Sequence, residues 1–120
     1  ASNPELKDYI AELERLSKTW AGLTAKIGEA AMSNPDEINA ACVDYLMFSG
    51  YVYYAYLFAR AAKLSQEKLA QDDSDKAFYE SKIYLAQFYF QRLLPRTASF
   101  EKTMLSGISN VLDANVDPFA

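Results

Sequence analysis

Residues 84–107 read YLAQFYFQRLLPRTASFEKTMLSG, and the rest of the chain is organised around this stretch. It opens with aromatic and aliphatic residues at spacings that cover well over half of a helix surface. Pro95 then interrupts it, flanked by Arg92 and Arg96, and Gly107 closes it. Proline lacks the N–H that would bond the carbonyl four residues back, and its ring disfavours helical geometry at Leu94. The spacing therefore predicts a helix from about Ser74, a kink or break at Pro95, and a shorter helix from Arg96 or Thr97 to Ser106. Phe100, Met104 and Leu105 are its expected inner residues, and Gly107 its C-cap.

Working outward, the chain of 120 residues has room for one domain. Half of it is hydrophobic (51%), yet Gly and Pro number only four each, and helix formers fill the gaps between nine Tyr and seven Phe. That balance points to an all-α protein.

The N-terminal segment shows the clearest period. Leu6, Tyr9, Leu13, Leu16, Trp20, Leu23, Ile27 and Ala30 are spaced alternately three and four apart. This heptad seam predicts a long helix from Pro4 to about Met32, packed at a shallow angle on a neighbour. Asn3 suits the N-cap, Pro4 the first position, and Glu5 the positive end of the helix dipole. A free coiled-coil dimer is the rival to packing inside a bundle; the broad apolar faces downstream favour the bundle.

Ser33-Asn34-Pro35-Asp36-Glu37 separates this helix from the next. Asn34 is placed to cap, and Glu37, three residues on, completes the pattern of a capping box. So short a connection makes the two helices antiparallel neighbours. The second helix then runs from Pro35 to about Ala70. Its middle, residues 45–64 (YLMFSGYVYYAYLFARAAKL), is apolar nearly all round, bracketed by Asp44 and Arg60. A helix of that kind must be covered on several sides. Either it is central to the bundle or it meets another domain or subunit. Gly50 interrupts it, which implies close approach of a neighbouring helix, and Cys42 reads as a small buried hydrophobe.

The acidic run Gln71-Asp72-Asp73-Ser74-Asp75 lacks the glycine and terminal glutamate of a calcium loop and reads as caps for the third helix. After Gly107, the tail has one more expected turn through Val111 and Leu112 before Asp117-Pro118 ends it. The fold expected is an up-down bundle of three long helices with a shorter fourth after the proline kink, one helical domain over residues 1–120.

Chemistry is scarce. With no histidine there is no Ser-His or Cys-His nucleophile pair and no Glu-x-x-His metal pattern. The four glycines make no phosphate-binding loop. We assign no catalytic, cofactor-binding or metal-ligating residue. Arg92 and Arg96 stay open: either they fix helix register by pairing with carboxylates such as Asp44 or Glu101, or they hold an anion. The net charge of −4 without a basic stripe argues against nucleic acid. The longest uncharged run, between Asp44 and Arg60, is shorter than the ~20 residues of a spanning helix, and no basic amphipathic helix marks a membrane surface. The chain opens at Ala1 with no leader to read, and the expected compartment is the cytoplasm.

Residues 82–112, KIYLAQFYFQRLLPRTASFEKTMLSGISNVL, resemble the closing segment of enlarged bacterial acyl-CoA dehydrogenases. The core AQFYFQRLLPRT and the turn MLSG carry the likeness, and YVYYAYLFARAAKL at 51–64 fits the same domain. The subgroup it resembles acts on 3-methylmercaptopropionyl-CoA and related acyl-CoAs and has an extra helical domain after the catalytic body. The resemblance implies a parent enzyme that binds FAD, oxidises acyl-CoA to 2-enoyl-CoA and passes electrons to an electron-transfer flavoprotein. The catalytic glutamate and the FAD and CoA motifs of such enzymes lie upstream and match nothing here. The chain is then a non-catalytic C-terminal piece that packs on the catalytic body or a sister subunit. The alternative is a stand-alone helical interaction module without an enzymatic parent.

Overall fold

The computed structural model describes residues 4–71 and 74–120. Its elements are α1 (Pro4–Ser33), α2 (Asp36–Ala70), α3 (Lys76–Phe88) and α4 (Thr97–Met104). Between the last two lie a π-helical turn (Tyr89–Leu93) and a 3₁₀ turn (Leu94–Arg96). The all-α bundle expected from composition is what the chain forms, with the third leg and its short continuation joined as one bent helix. Asn3, Asp72, Asp73 and the side chain of Glu5 lie outside the described residues, and with them the caps assigned there.

The heptad seam of α1 faces inward along its whole length. Tyr9, Leu16 and Leu23 are buried, and Leu6, Leu13, Trp20 and Ile27 pack against the same core. The polar faces of α1 stay wet. On one of them Arg15 holds the Glu12 carboxyl below the usual carboxylate range by a hydrogen bond of 2.6 Å. Both side chains are exposed, so the pair contributes a few tenths of a kcal/mol at most.

Two residues turn the chain from α1 into α2. The Asn34 N–H donates to the Ala30 carbonyl at 3.0 Å, closing α1. The Asn34 Oδ1 accepts the Asp36 N–H at 3.1 Å, opening α2. One residue thus ends one helix and caps the next. The reciprocal half of the capping box does not form, because the N–H that Glu37 would accept is already used by α1. The Glu37 carboxylate lies instead beside Gly107, 3.9 Å from where a Cβ would stand. Asn34→Ala is expected to lower the unfolding free energy by about 1 kcal/mol, measured by urea denaturation, with Asn34→Asp close to neutral.

α2 is the element against which α1, α3 and α4 all pack. Its inner face alternates one large residue with small ones: Phe48 is wholly buried, and Val52, Ala55, Ala59 and Ala62 are buried with it. The short side chains let neighbouring helices come close, and aromatic rings from the bent segment fill the remaining depth. The molecule is long and thin, 67 × 28 × 18 Å. Its smallest dimension is less than two helix diameters, each about 10–12 Å with side chains.

The bend differs in detail from the kink expected at Pro95. The helix widens one turn earlier, and the Leu94 N–H reaches back five residues to the Tyr89 carbonyl. The extra residue in that turn lets Pro95 be passed without a sharp break; Leu94 keeps a helical φ of −59° and ψ of −33°. The buried Thr97 hydroxyl donates to the Leu94 carbonyl at 2.7 Å. α4 then ends at Met104, two residues before the Ser106 expected, and Gly107 turns the chain away with a φ of +79°. The tail makes the expected single turn, with the Leu112 N–H on the Ile108 carbonyl. α3 starts at Lys76 rather than Ser74, with Asp75 in the N-cap position.

Candidate docking surface

α2 presents a second seam on the side away from its core. Val43, Met47, Gly50, Tyr54, Leu57, Ala61 and Leu64 follow each other at alternating steps of four and three. That is the same period as the inner seam of α1, but among the described residues this one stands largely open. Val43 is 67% exposed, Leu46 70%, and Tyr53 and Tyr54 57% each. Of the two expectations for so apolar a helix, its place at the centre of the bundle is what the chain forms; the cover expected on several sides comes from this chain on the inner side. α3 and the two turns that continue it show the same split. Ala86, Tyr89, Phe90 and Leu94 go inward, while Phe78, Tyr84, Leu85 and Phe88 stand exposed. The breadth of apolar surface expected to bury α3 between partners is therefore only half used. A monomer seldom leaves more than a few hundred Å² of contiguous apolar surface in water, and larger patches mark interaction sites.

Gly50 sits within this outer seam. A Cβ built there meets nothing within 4 Å, so no helix of this chain makes the close approach that the glycine implied. In the middle of a helix glycine costs about 1 kcal/mol relative to alanine. None of the described residues uses its missing side chain. Cys42 also departs from expectation: it is exposed, its Sγ–H donating to the Asn39 carbonyl at 3.3 Å. A continuous apolar run hides which of its members turn outward. Cys42 lines an apolar groove of about 300 Å³ with Ile27, Gly28, Ile38 and Tyr45. Across that groove the Thr24 and Tyr45 hydroxyls bond at 2.7 Å and tie α1 to α2.

The bent segment holds the densest aromatic packing. Tyr89 stacks on Phe58 at 4.6 Å and Phe90 on Tyr9 at 4.3 Å. Adjacent residues on a regular helix diverge by about 100°, and here both rings are buried at the start of the widened turn. The Tyr89 hydroxyl donates to the Tyr51 backbone carbonyl on α2. Burial above all, helped by the neighbouring Tyr51 and Tyr54, pushes the Tyr89 phenol well above its ordinary range. This contact was not legible in the sequence, where Tyr89 was one aromatic among the many apolar residues of its helix.

Arg92 and Arg96 do not form the carboxylate pairs that one of the two sequence readings supposed. Among the described residues, the ion pairs are Arg15–Glu12 and Lys76–Glu80, so neither arginine pairs with Asp44 or Glu101. Asp44 and Arg60 form no ion pair either. Arg96 Nη1 donates to the Tyr51 hydroxyl at 3.4 Å. Arg92 lines an open concavity of about 360 Å³ with Tyr84, Gln87, Phe88 and Gln91. No contact joins the two guanidinium groups to one site.

Among the described residues no group of three His, Cys, Asp or Glu side chains is placed to hold a metal ion, and no helix is long and apolar enough to cross a membrane. What the described surface offers is shape and apolar area.

A family model described as acetyl-CoA dehydrogenase C-terminal like matches residues 1–115. No curated relative matches the chain. The match takes in all four helices as well as the bent segment on which the resemblance to acyl-CoA dehydrogenases was read. The chain belongs to the acetyl-CoA dehydrogenase C-terminal-like family.

Proposed function

We propose that this chain is the non-catalytic C-terminal helical domain of an FAD-dependent acyl-CoA dehydrogenase of the cytoplasm. It packs on the catalytic body of its own subunit or on a sister subunit. The observation that carries this reading is the exposed apolar surface of α2 and α3, at positions where a domain complete in itself would carry charge. Within the family, the likeness of residues 82–112 favours the enlarged subgroup that acts on 3-methylmercaptopropionyl-CoA and related thioesters. The parent would oxidise acyl-CoA to 2-enoyl-CoA and reduce an electron-transfer flavoprotein.

The residues of this chain do not fit a flavin dinucleotide. The concavity beside Arg92 is an open surface dent with one guanidinium. The groove beside Cys42 is lined almost wholly by apolar atoms and carries no cationic side chain for a phosphate. FAD and the catalytic base belong to the catalytic body in this reading, and no step of the oxidation runs through residues 1–120.

The test is to titrate this chain against the parent enzyme truncated before it, following binding by calorimetry and acyl-CoA oxidation by flavin reduction. Saturable binding with recovery of assembly or activity is expected. Absence of both would overturn the reading and leave the stand-alone module.

A further inference from the structure

We propose that the outer seam of α2 is a self-recognition surface, on which α2 of a second copy of this chain packs antiparallel about a two-fold axis between Tyr53 and Tyr54. This deepens the docking reading above by assigning one face to one partner.

The argument is the order of side-chain sizes along the seam. An antiparallel two-fold contact pairs each residue with the one equally far from the axis on the other copy. About an axis between Tyr53 and Tyr54, Gly50 meets Leu57, Val43 meets Leu64, and Leu46, which borders the seam beside Met47, meets Ala61, while Met47 falls opposite the exposed Arg60 at the flank. Twice a large side chain falls opposite a small one, the arrangement that lets facing layers interdigitate. Gly50 gains the role that nothing within 4 Å of it supplies in the single chain. Leu57, 38% exposed, is the knob for that hole.

The ends of the seam agree. The next positions outward in the same register are Asn39 and Lys68, which also pair with each other about the axis and close the apolar stretch in polar residues. Between them runs apolar surface about 33 Å long, at 1.5 Å per residue. An interface of standard size takes about 800 Å² from each partner, and Val43, Leu46, Tyr53, Tyr54 and Leu64 are each half exposed or more. The 3-4 spacing is that of helices crossing at about 20°, so contact continues along the seam rather than at one point. A chance docking face for an unrelated surface has no reason to be matched to itself under reversal.

Sedimentation equilibrium of the chain is expected to show a dimer. Leu57→Glu should weaken it at least about 30-fold, the loss expected at an interface hot spot. Gly50→Leu should also weaken it while raising the thermal midpoint of the monomer, because the new side chain has open space and removes a helix-interior glycine. A purely internal role for Gly50 would not separate those two readouts. Register is read by cross-linking in a Cys42→Ser background. Tyr54→Cys should form a disulfide-linked dimer by itself. Leu64→Cys should not, but should cross-link when mixed with Val43→Cys. A chain that is monomeric at about 100 μM overturns the proposal. So does a dimer indifferent to Leu57→Glu, or one in which Leu64→Cys links to itself, which means parallel pairing. A monomer that still binds the truncated enzyme overturns this pairing and leaves the accessory-domain reading standing. A dimer with the expected register that does not bind the enzyme does the reverse.

Discussion

Phe48→Ala is expected to lower the unfolding free energy of the chain by about 3–5 kcal/mol, the range for deleting a buried aromatic ring. Phe48 is wholly buried on the inner face of α2. Its loss removes apolar burial and leaves a cavity among helices that cannot close over it without shifting α2, the element on which α1, α3 and α4 all depend. Against a total of about 5–15 kcal/mol for a domain, that is enough to bring the chain near its unfolding threshold. Urea titrations should show a large fall in midpoint with little change in slope. Leu46→Ala, on the same helix at 70% exposure, is the control; it should change the stability of the monomer by no more than about 0.5 kcal/mol. Equal losses at the two positions would contradict the division of α2 into an inner and an outer seam.

The second large effect lies at Tyr89. Tyr89→Ala deletes the ring that stacks on Phe58 and approaches Tyr51, and is expected to cost about 3–5 kcal/mol. Tyr89→Phe keeps the ring and loses only the hydroxyl bond to the Tyr51 carbonyl, a cost of about 1 kcal/mol. That carbonyl lies inside α2, whose own ladder still serves it, so the smaller figure is the reasonable one.

The hydroxyl also sets an alkaline limit. Burial raises the folded-state pKa of Tyr89 above that of a tyrosine in the unfolded chain, about 10. Above that pH the unfolded chain loses this proton while the folded chain keeps it. The stability tied to the proton is therefore whole below pH ~10 and falls as pH rises through and above it. The loss is at most about 1.4 kcal/mol per pH unit, the slope for one proton. Urea midpoints measured from pH 8 to 11 should fall in the wild-type chain. They should fall less in Tyr89→Phe, and an unchanged slope would remove the buried phenol from the account.

Much of the architecture was legible because it rests on local rules. The 3-4 spacing from Leu6 to Ala30 names both the helix and its buried face. Asn34-Pro35 marks a turn whose chemistry is nearly self-contained, and Gly107 ends α4 in the left-handed region that favours glycine. The failures share a cause. Cys42, Gly50 and Phe88 lie in stretches that are apolar on every side, where period cannot say which residues face the core. Their placement depends on how many helices arrive, and the chain supplies too few to cover α2 and α3. The expected ion pairs of Arg92 and Arg96 failed for a related reason. Sequence shows which charges exist, but the direction each points after Pro95 depends on the widened turn before it, which no local signal announced.

The amino-acid order by itself determined that the chain is all α, where its helices begin and end within a few residues, and that one helix has a single inner seam. These follow from periodicity, capping chemistry and the residue types available, all properties of neighbours along the chain. Only the tertiary structure decided which of the apolar faces of α2 and α3 is core and which is left open. It also decided that Tyr89 is the polar anchor between them and that Gly50 serves none of the described residues of its own chain. Burial is a relation between segments far apart in sequence, and 120 residues encode more apolar surface than three packed helices can hide.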